Sequence, residues 1–295
     1  MVAGAVALTA AVIVSVVLVQ RPEPRAQGSA PPASPSEASS ASVGSSASVG
    51  SSSSIVWEKP RLELPTFPLT PGWLPSGLGP RRVDRLGPNV LLMYEDGHGD
   101  VLSVEAGPVA GDWEVEGEED HRSTVGGASA TVRTAGNYDG ARPGDRYVGV
   151  RWKLTDGRWT QLLSFGPRTE SQVLRFARGL RRQTLPASPA PFRLAEAPRG
   201  LTLGFLSPKY MCLVRPPVTH DTMQQGLCVG VEAAPPEKVP GVAVTIAGHP
   251  ATFVGDSQLQ IDIGHGRVLT VQSDRAAVGL SADELVRFAT GVAIA

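Results

Sequence analysis

Cysteine is scarce in this chain: Cys212 and Cys228 are the only two among 295 residues. Two thiols cannot build a disulfide-dense scaffold or a four-thiolate zinc site. Excess charge is also missing, since 27 basic and 28 acidic residues leave a formal net charge of −1. That balance argues against nucleic-acid binding, which needs a basic face or stripe. It likewise removes any case for electrostatic steering toward a strongly charged partner. No Gly-x-Ser-x-Gly elbow, no phosphate loop, no Gly-x-Gly-x-x-Gly before a helix and no His-Glu-x-x-His occurs. The sequence therefore nominates no catalytic residue, no metal ligand and no cofactor site.

What is present begins with an uncharged apolar run, Val2 to Val19. As a helix it reaches ~27 Å, close to the ~30 Å hydrocarbon core of a bilayer, and it has no polar face. Residues 1–20 read as a transmembrane signal anchor that engages the lipid bilayer through residues 2–19. A cleaved signal peptide is the rival reading, but a small-x-small cleavage site does not follow at once. Arg21 and Arg25 on their own favour a cytoplasmic C-terminal portion under the positive-inside rule. The polar stalk and the pairable cysteines favour the opposite, and an extracytoplasmic location is the reading adopted.

Residues 21–60 read as a disordered linker. Ser and Ala dominate from 27 to 56, and Ala-Ser-Val-Gly-Ser-Ser occurs twice in tandem at 41–46 and 47–52. Such a tract buries too little apolar surface to offset its ordering entropy.

The remainder reads as two related α+β units, 61–183 and 191–295, joined by a linker at 184–190. Val125, Gly127 and Ala130-Thr131 match Ile246, Gly248 and Ala251-Thr252 in order. Gly157-Arg158 and Gly266-Arg267 then mark equivalent turns. Each unit closes on one helix pattern, Thr169 to Leu180 and Ser281 to Val292. Thr169 with Gln172, and Ser281 with Glu284, form capping boxes. Val173, Phe176, Ala177 and Leu180 make an apolar stripe in the first helix, matched by Leu285, Phe288, Ala289 and Val292 in the second. Between these landmarks lie short β-prone runs, among them Asn89 to Tyr94, Val101 to Ala106, Tyr147 to Leu154, Tyr210 to Val214 and Val268 to Gln272. No βαβ alternation occurs, so each unit is expected to be an antiparallel sheet with one helix.

A bridge between Cys212 and Cys228 is the expected role of the two cysteines, stabilising the second unit by about 3 kcal/mol in the chain-entropy picture. Buried free thiols and a reactive thiol are the alternatives. Of the five histidines, His98 and His121 lie in the first unit. His220, His249 and His265 share the second and could meet Asp221 or Asp262 on a metal or as a hydrolytic site. Turn and loop positions are the plainer reading for them. Glu114, Glu116, Glu118, Glu119 and Asp120 read as a solvated acidic loop without a calcium pattern. All five tryptophans precede the second unit. Trp57 and Trp73, where the linker meets the first unit, could seal a core edge or form a binding patch.

At Leu69-Thr70-Pro71-Gly72-Trp73-Leu74-Pro75-Ser76-Gly77-Leu78 the chain resembles the opening of a bacterial extracytoplasmic domain family. That family follows a single membrane helix in anti-sigma-factor-like and sporulation-linked proteins and ends in a Ser-x-x-Glu-Leu helix, here Ser281 to Leu285. The resemblance covers only these elements. It implies a non-catalytic module at the cell envelope and does not extend to regulation of a sigma factor. The basic set, 23 Arg against 4 Lys, with abundant Ala, Gly and Pro, is similar to that of high-GC bacterial chains. The reading that follows is a membrane-tethered module that binds or senses an envelope protein or ligand, through the groove between its units or its sheet faces. An envelope hydrolase using His220, His249 or His265, and a structural spacer, are the alternatives.

Overall fold

From Asn89 onward short runs of β-branched and other apolar residues between turn residues build strands, whose successive side chains point to opposite faces of the sheet. The computed structural model describes residues 55–235 and 239–295. In chain order the strands are β1 (Trp57–Glu58), β2 (Phe67–Pro71), β3 (Arg82–Leu86), β4 (Asn89–Glu95), β5 (Val101–Gly107), β6 (Glu119–Val125), β7 (Ala128–Ala135), β8 (Arg146–Lys153) and β9 (Trp159–Gly166). Helix α1 (Glu170–Gly179) follows, then β10 (Leu180–Leu185), β11 (Phe192–Leu194), β12 (Ala197–Pro198), β13 (Thr202–Ser207), β14 (Tyr210–Val214) and β15 (Leu227–Ala233). The chain ends with β16 (Val242–Ile246), β17 (His249–Val254), β18 (Gln258–Gly264), β19 (Arg267–Ser273), helix α2 (Ala282–Thr290) and β20 (Val292–Ile294). Among the described residues the fold is α+β, mostly antiparallel sheet with two helices.

Fourteen strands form one sheet in the order β16-β17-β18-β19-β15-β14-β13-β3-β4-β5-β9-β8-β7-β6. Read outward from the β13–β3 seam, each half runs three meandering strands and then four strands in reversed order. The seam itself is short, with Phe205 opposite Leu86 and Leu206 opposite Arg85. Each half keeps its own apolar core against its own helix. Leu92, Val104, Val150 and Leu162 pack with Val173 and Phe176 of α1. Leu213, Val229, Leu259 and Val271 pack with Leu285 and Phe288 of α2.

Local chemistry recurs between the halves. Both helices start at the expected capping boxes, with Thr169 accepting from Gln172 N and Ser281 from Glu284 N. The β6–β7 hairpin turns through Gly126 and Gly127 at φ of 57° and 84°; the β16–β17 hairpin turns through Ala247 and Gly248 at 48° and 85°. Two successive positive φ values mark the turn whose twist suits a tight hairpin. A strand ahead of each half pairs with one behind its helix, β2 with β10 and β11 with β20. Gly72 N donates to Gly179 O at 2.9 Å, and Ala195 N donates to Gly291 O at 2.9 Å.

Residues 2–19, the expected anchor, lie outside the described residues; among those described, no helix is long and apolar enough to cross a membrane. Other expectations change. The linker expected to run disordered to Pro60 is ordered by Trp57, where β1 pairs with β12 and Arg199 N donates to Val56 O at 2.8 Å. The reason is burial: Ile55, Trp57 and Leu62 pack against the second core, although Leu62 reads from sequence as first-unit material. Arg287 lies 4.5 Å from the Trp57 ring centroid, as Arg175 does 4.3 Å from Trp73. Equivalent helix positions thus hold rings of different origin. The acidic cluster is not wholly a loop, because Glu119 and Asp120 open β6 and Asp120 meets Arg133 across the strands at 2.8 Å. At the seam the halves meet through the pairing of β13 with β3.

Candidate functional site

The strongest convergence of polar side chains lies at the seam, on the sheet face away from the helices. Apolar residues on alternate positions of β4 and β5 face α1, which leaves Asn89 and Glu105 on the opposite face. Glu105 is 9% exposed and Asn89 is fully buried. The loop between β14 and β15 crosses from the second half and brings His220 Nε2 to 3.3 Å from Glu105 Oε1. Asn89 Nδ2 donates to Glu105 Oε1 and to Val109 O, the latter at 2.8 Å, and lies 3.1 Å from His220 Nε2. Gly87 makes the approach possible: at φ of 60° it lies under the loop, where a Cβ would stand 2.9 Å from Thr219 O. The other carboxylate oxygen faces the backbone of Gly111, where a Cβ would collide with it.

A polar row continues outward from Glu105. Glu105 lies opposite Gln161, and Gln161 opposite Arg151. Arg151 Nε donates to Gln161 Oε1 at 2.7 Å, while Gln161 Nε2 donates to Asp112 O at 2.6 Å. The Arg151 guanidinium stacks 4.0 Å from the Trp113 ring centroid. Burial raises the Glu105 carboxyl above its ordinary range, against the lowering contributions of the Asn89 hydrogen bond and the nearby His220. The row is satisfied internally and ties the loop that contains Gly111 and Trp113 onto the sheet.

Two adjoining cavities lie elsewhere, on the second half beside α2. One, of about 400 Å³, is lined by Glu196, Arg287 and Thr290. Its neighbour, a groove of about 560 Å³, runs between Pro60, Leu62 and Leu64 on one side and Phe192, Leu194 and Ala293 on the other. Lys59 and Arg193 also line it. Leu64 is 37% exposed there. The groove exists because the segment after β1 docks on the second half and leaves the β11–β20 ribbon beside it uncovered. Neither cavity is lined by His220 or Glu105.

The residues singled out from sequence disperse. Cys212 and Cys228 are disulfide-bonded, on directly opposed positions of β14 and β15 with their Cα atoms 4.1 Å apart. Both are buried beneath Val218 of the same loop that carries His220. His249 sits exposed at the start of β17 and His265 exposed in the turn between β18 and β19, and Asp221 and Asp262 are exposed. Asp262 Oδ1 accepts from Gly264 N at 2.7 Å. Of His220, His249 and His265, only His220 meets a carboxylate within the described residues, and that carboxylate comes from the first half. His121 Nε2 lies 3.1 Å from Glu170 at the start of α1. Among the described residues no group of three or more His, Cys, Asp or Glu could hold a metal ion. Sequence reasoning missed Asn89 and Glu105. The available signal was Glu105, the one charged residue of Val101–Gly107.

No protein-family model matches the chain, and no curated protein matches it. Among solved structures it is similar to one described as the crystal structure of MucB in complex with MucA(peri). The identity is 13%, over 72% of this chain and 91% of that one, with a TM-score of 0.20. So low a superposition carries no conclusion about fold or function.

Proposed function

We propose that the chain is a non-catalytic binding or sensing module of the cell envelope. It consists of two related α+β units held outside the membrane by an anchor at residues 2–19 and the low-complexity tether behind it. The matching strand order of the two half-sheets, the paired capping boxes and the equivalent hairpin turns support duplication of one unit. The Cys212–Cys228 disulfide supports an oxidising compartment.

The observation that carries the binding reading is the groove of about 560 Å³ along Leu62, Leu64, Phe192 and Ala293. An apolar floor with Lys59 and Arg193 beside it suits an extended segment bearing apolar side chains and an acidic group. The His220–Glu105 contact supports a structural clamp more than a hydrolase. One carboxylate oxygen is shared by Asn89 and His220, and the other lies close against Gly111.

The test uses the full chain in its native membrane. A cysteine at the exposed position Asp256 is expected to react with a membrane-impermeant maleimide in intact cells; reaction only after permeabilisation overturns the location. A photoreactive residue replacing Leu64 is expected to give one discrete adduct that Ala293→Asp abolishes. An adduct indifferent to Ala293→Asp, or none, overturns the groove as the contact surface.

A further inference from the structure

The two ends of the long sheet are built differently. At one end β6 reads Glu-Asp-His-Arg-Ser-Thr-Val, and at the other β16 reads Val-Ala-Val-Thr-Ile. Among the described residues each pairs on one side only, β6 with β7 and β16 with β17. Soluble sheets protect such edges with charges, proline or bulges, because an unpaired row of N–H and C=O groups templates further pairing. The β6 edge has that protection. The β16 edge has no charge and no proline, four of its five residues are β-branched, and Val242 is 67% exposed.

We propose that β16 is an interface between two copies of this chain, which join their sheets edge to edge through antiparallel β16 strands. Symmetric pairing about Val244 sets Val242 of each copy opposite Ile246 of the other, and Ala243 opposite Thr245. Ile246 is buried in the second core and Val244 packs against it. The exposed Val242 therefore meets the edge of its partner's apolar layer, and the layer continues across the joint. No like charges meet. The same operation about the middle of β6 sets Arg122 against Arg122 of the second copy, which like-charge repulsion opposes. Charge pattern thus permits self-pairing at one end of the sheet and disfavours it at the other. Five paired residues a side fall below the ~1,600 Å² of a standard stable interface, so the association is weak and concentration-dependent.

The test is a mixing experiment on the full purified chain over a range of concentrations under mild oxidation. Ala243→Cys and Thr245→Cys are prepared separately. Their mixture is expected to give an intermolecular disulfide that neither gives alone, since opposed β positions meet disulfide geometry. Adding Val242→Lys to both is expected to cut that yield at least tenfold, and Arg122→Cys on β6 is expected to give none. No cross-link in the mixture, equal yields from the single variants, or indifference to Val242→Lys overturns the proposal. So does an intramolecular disulfide between Ala243→Cys and Ser45→Cys, which would mean that the chain's own tether covers the edge.

Discussion

His220 Nε2 stands 3.3 Å from Glu105 Oε1 across the seam between the two half-sheets. The β13–β3 pairing there is short, so this contact and the Gly87 N to Gly204 O bond of 2.9 Å reinforce the joint. Removing one partner of a buried polar pair leaves the other unsatisfied, at about 1–3 kcal/mol. His220→Ala is expected to lower the unfolding free energy by that amount. Glu105→Gln, which removes the buried charge, is expected to cost less. A double-mutant cycle by urea denaturation is expected to give a coupling of about 0.5–3 kcal/mol. Full additivity would show that the contact does not clamp the seam.

Asp84 on β3 is 5% exposed, and burial raises its carboxyl to about 6, against the lowering effect of Arg82 at 3.3 Å. A folded-state value above the unfolded one means that the folded protein binds more protons in the interval between them. Its contribution is therefore fully present below the ordinary value of 3.8 and is lost as pH rises through about 6. The span corresponds to a change on the order of 3 kcal/mol. Asp84→Asn is expected to be more stable than the parent at pH 7.5 and to flatten the decline between pH 4 and 7. Denaturation midpoints across that range decide it; a variant with an unchanged decline overturns the assignment.

The capping boxes of α1 and α2 serve separate cores. Thr169→Ala and Ser281→Ala each remove the hydroxyl that accepts from the third helical N–H, at about 1 kcal/mol. The losses are expected to add in the double variant, since independent sites are additive to within about 0.5 kcal/mol. Hydrogen exchange should place each loss in its own helix. Loss of protection in both helices from either single change would contradict the independence.

Cys212 and Cys228 are both at most 2% exposed. Thiol labelling of unfolded, unreduced protein is expected to find no free sulfhydryl. Replacing both by Ala is expected to cost about 3 kcal/mol in the loop-closure picture, with the loss confined to β14, β15 and the loop carrying His220. Two labelled sites would show that the bridge does not form in solution.

Much of the scaffold was legible because its signals are local. A hydroxyl three residues before Gln172 or Glu284 caps a helix wherever the helix packs, and a β-prone run such as Val101–Gly107 or Leu227–Ala233 specifies a strand without naming its neighbour. The strands that escaped notice lack such an unbroken β-prone run. Phe67–Pro71 has two prolines, Arg82–Leu86 carries three charges, and Leu180–Leu185 is polar along most of its length. Each is a strand because a distant partner pairs with it. The candidate site escaped for a related reason. Asn89, Glu105 and His220 come from three separate stretches of chain, and spacing along a sequence says nothing about residues 131 apart.

The sequence by itself determined the two cysteines, both helices with their caps, most of the central strands and the recurrence of a Val-Gly-Gly-type turn, because each depends on neighbours a few residues away. Only the tertiary structure decided that the half-sheets join edge to edge, that Trp57 belongs to the second core, and that His220 finds its carboxylate in the other half. Those outcomes depend on which surfaces are buried against each other, and burial is a property of the whole folded chain.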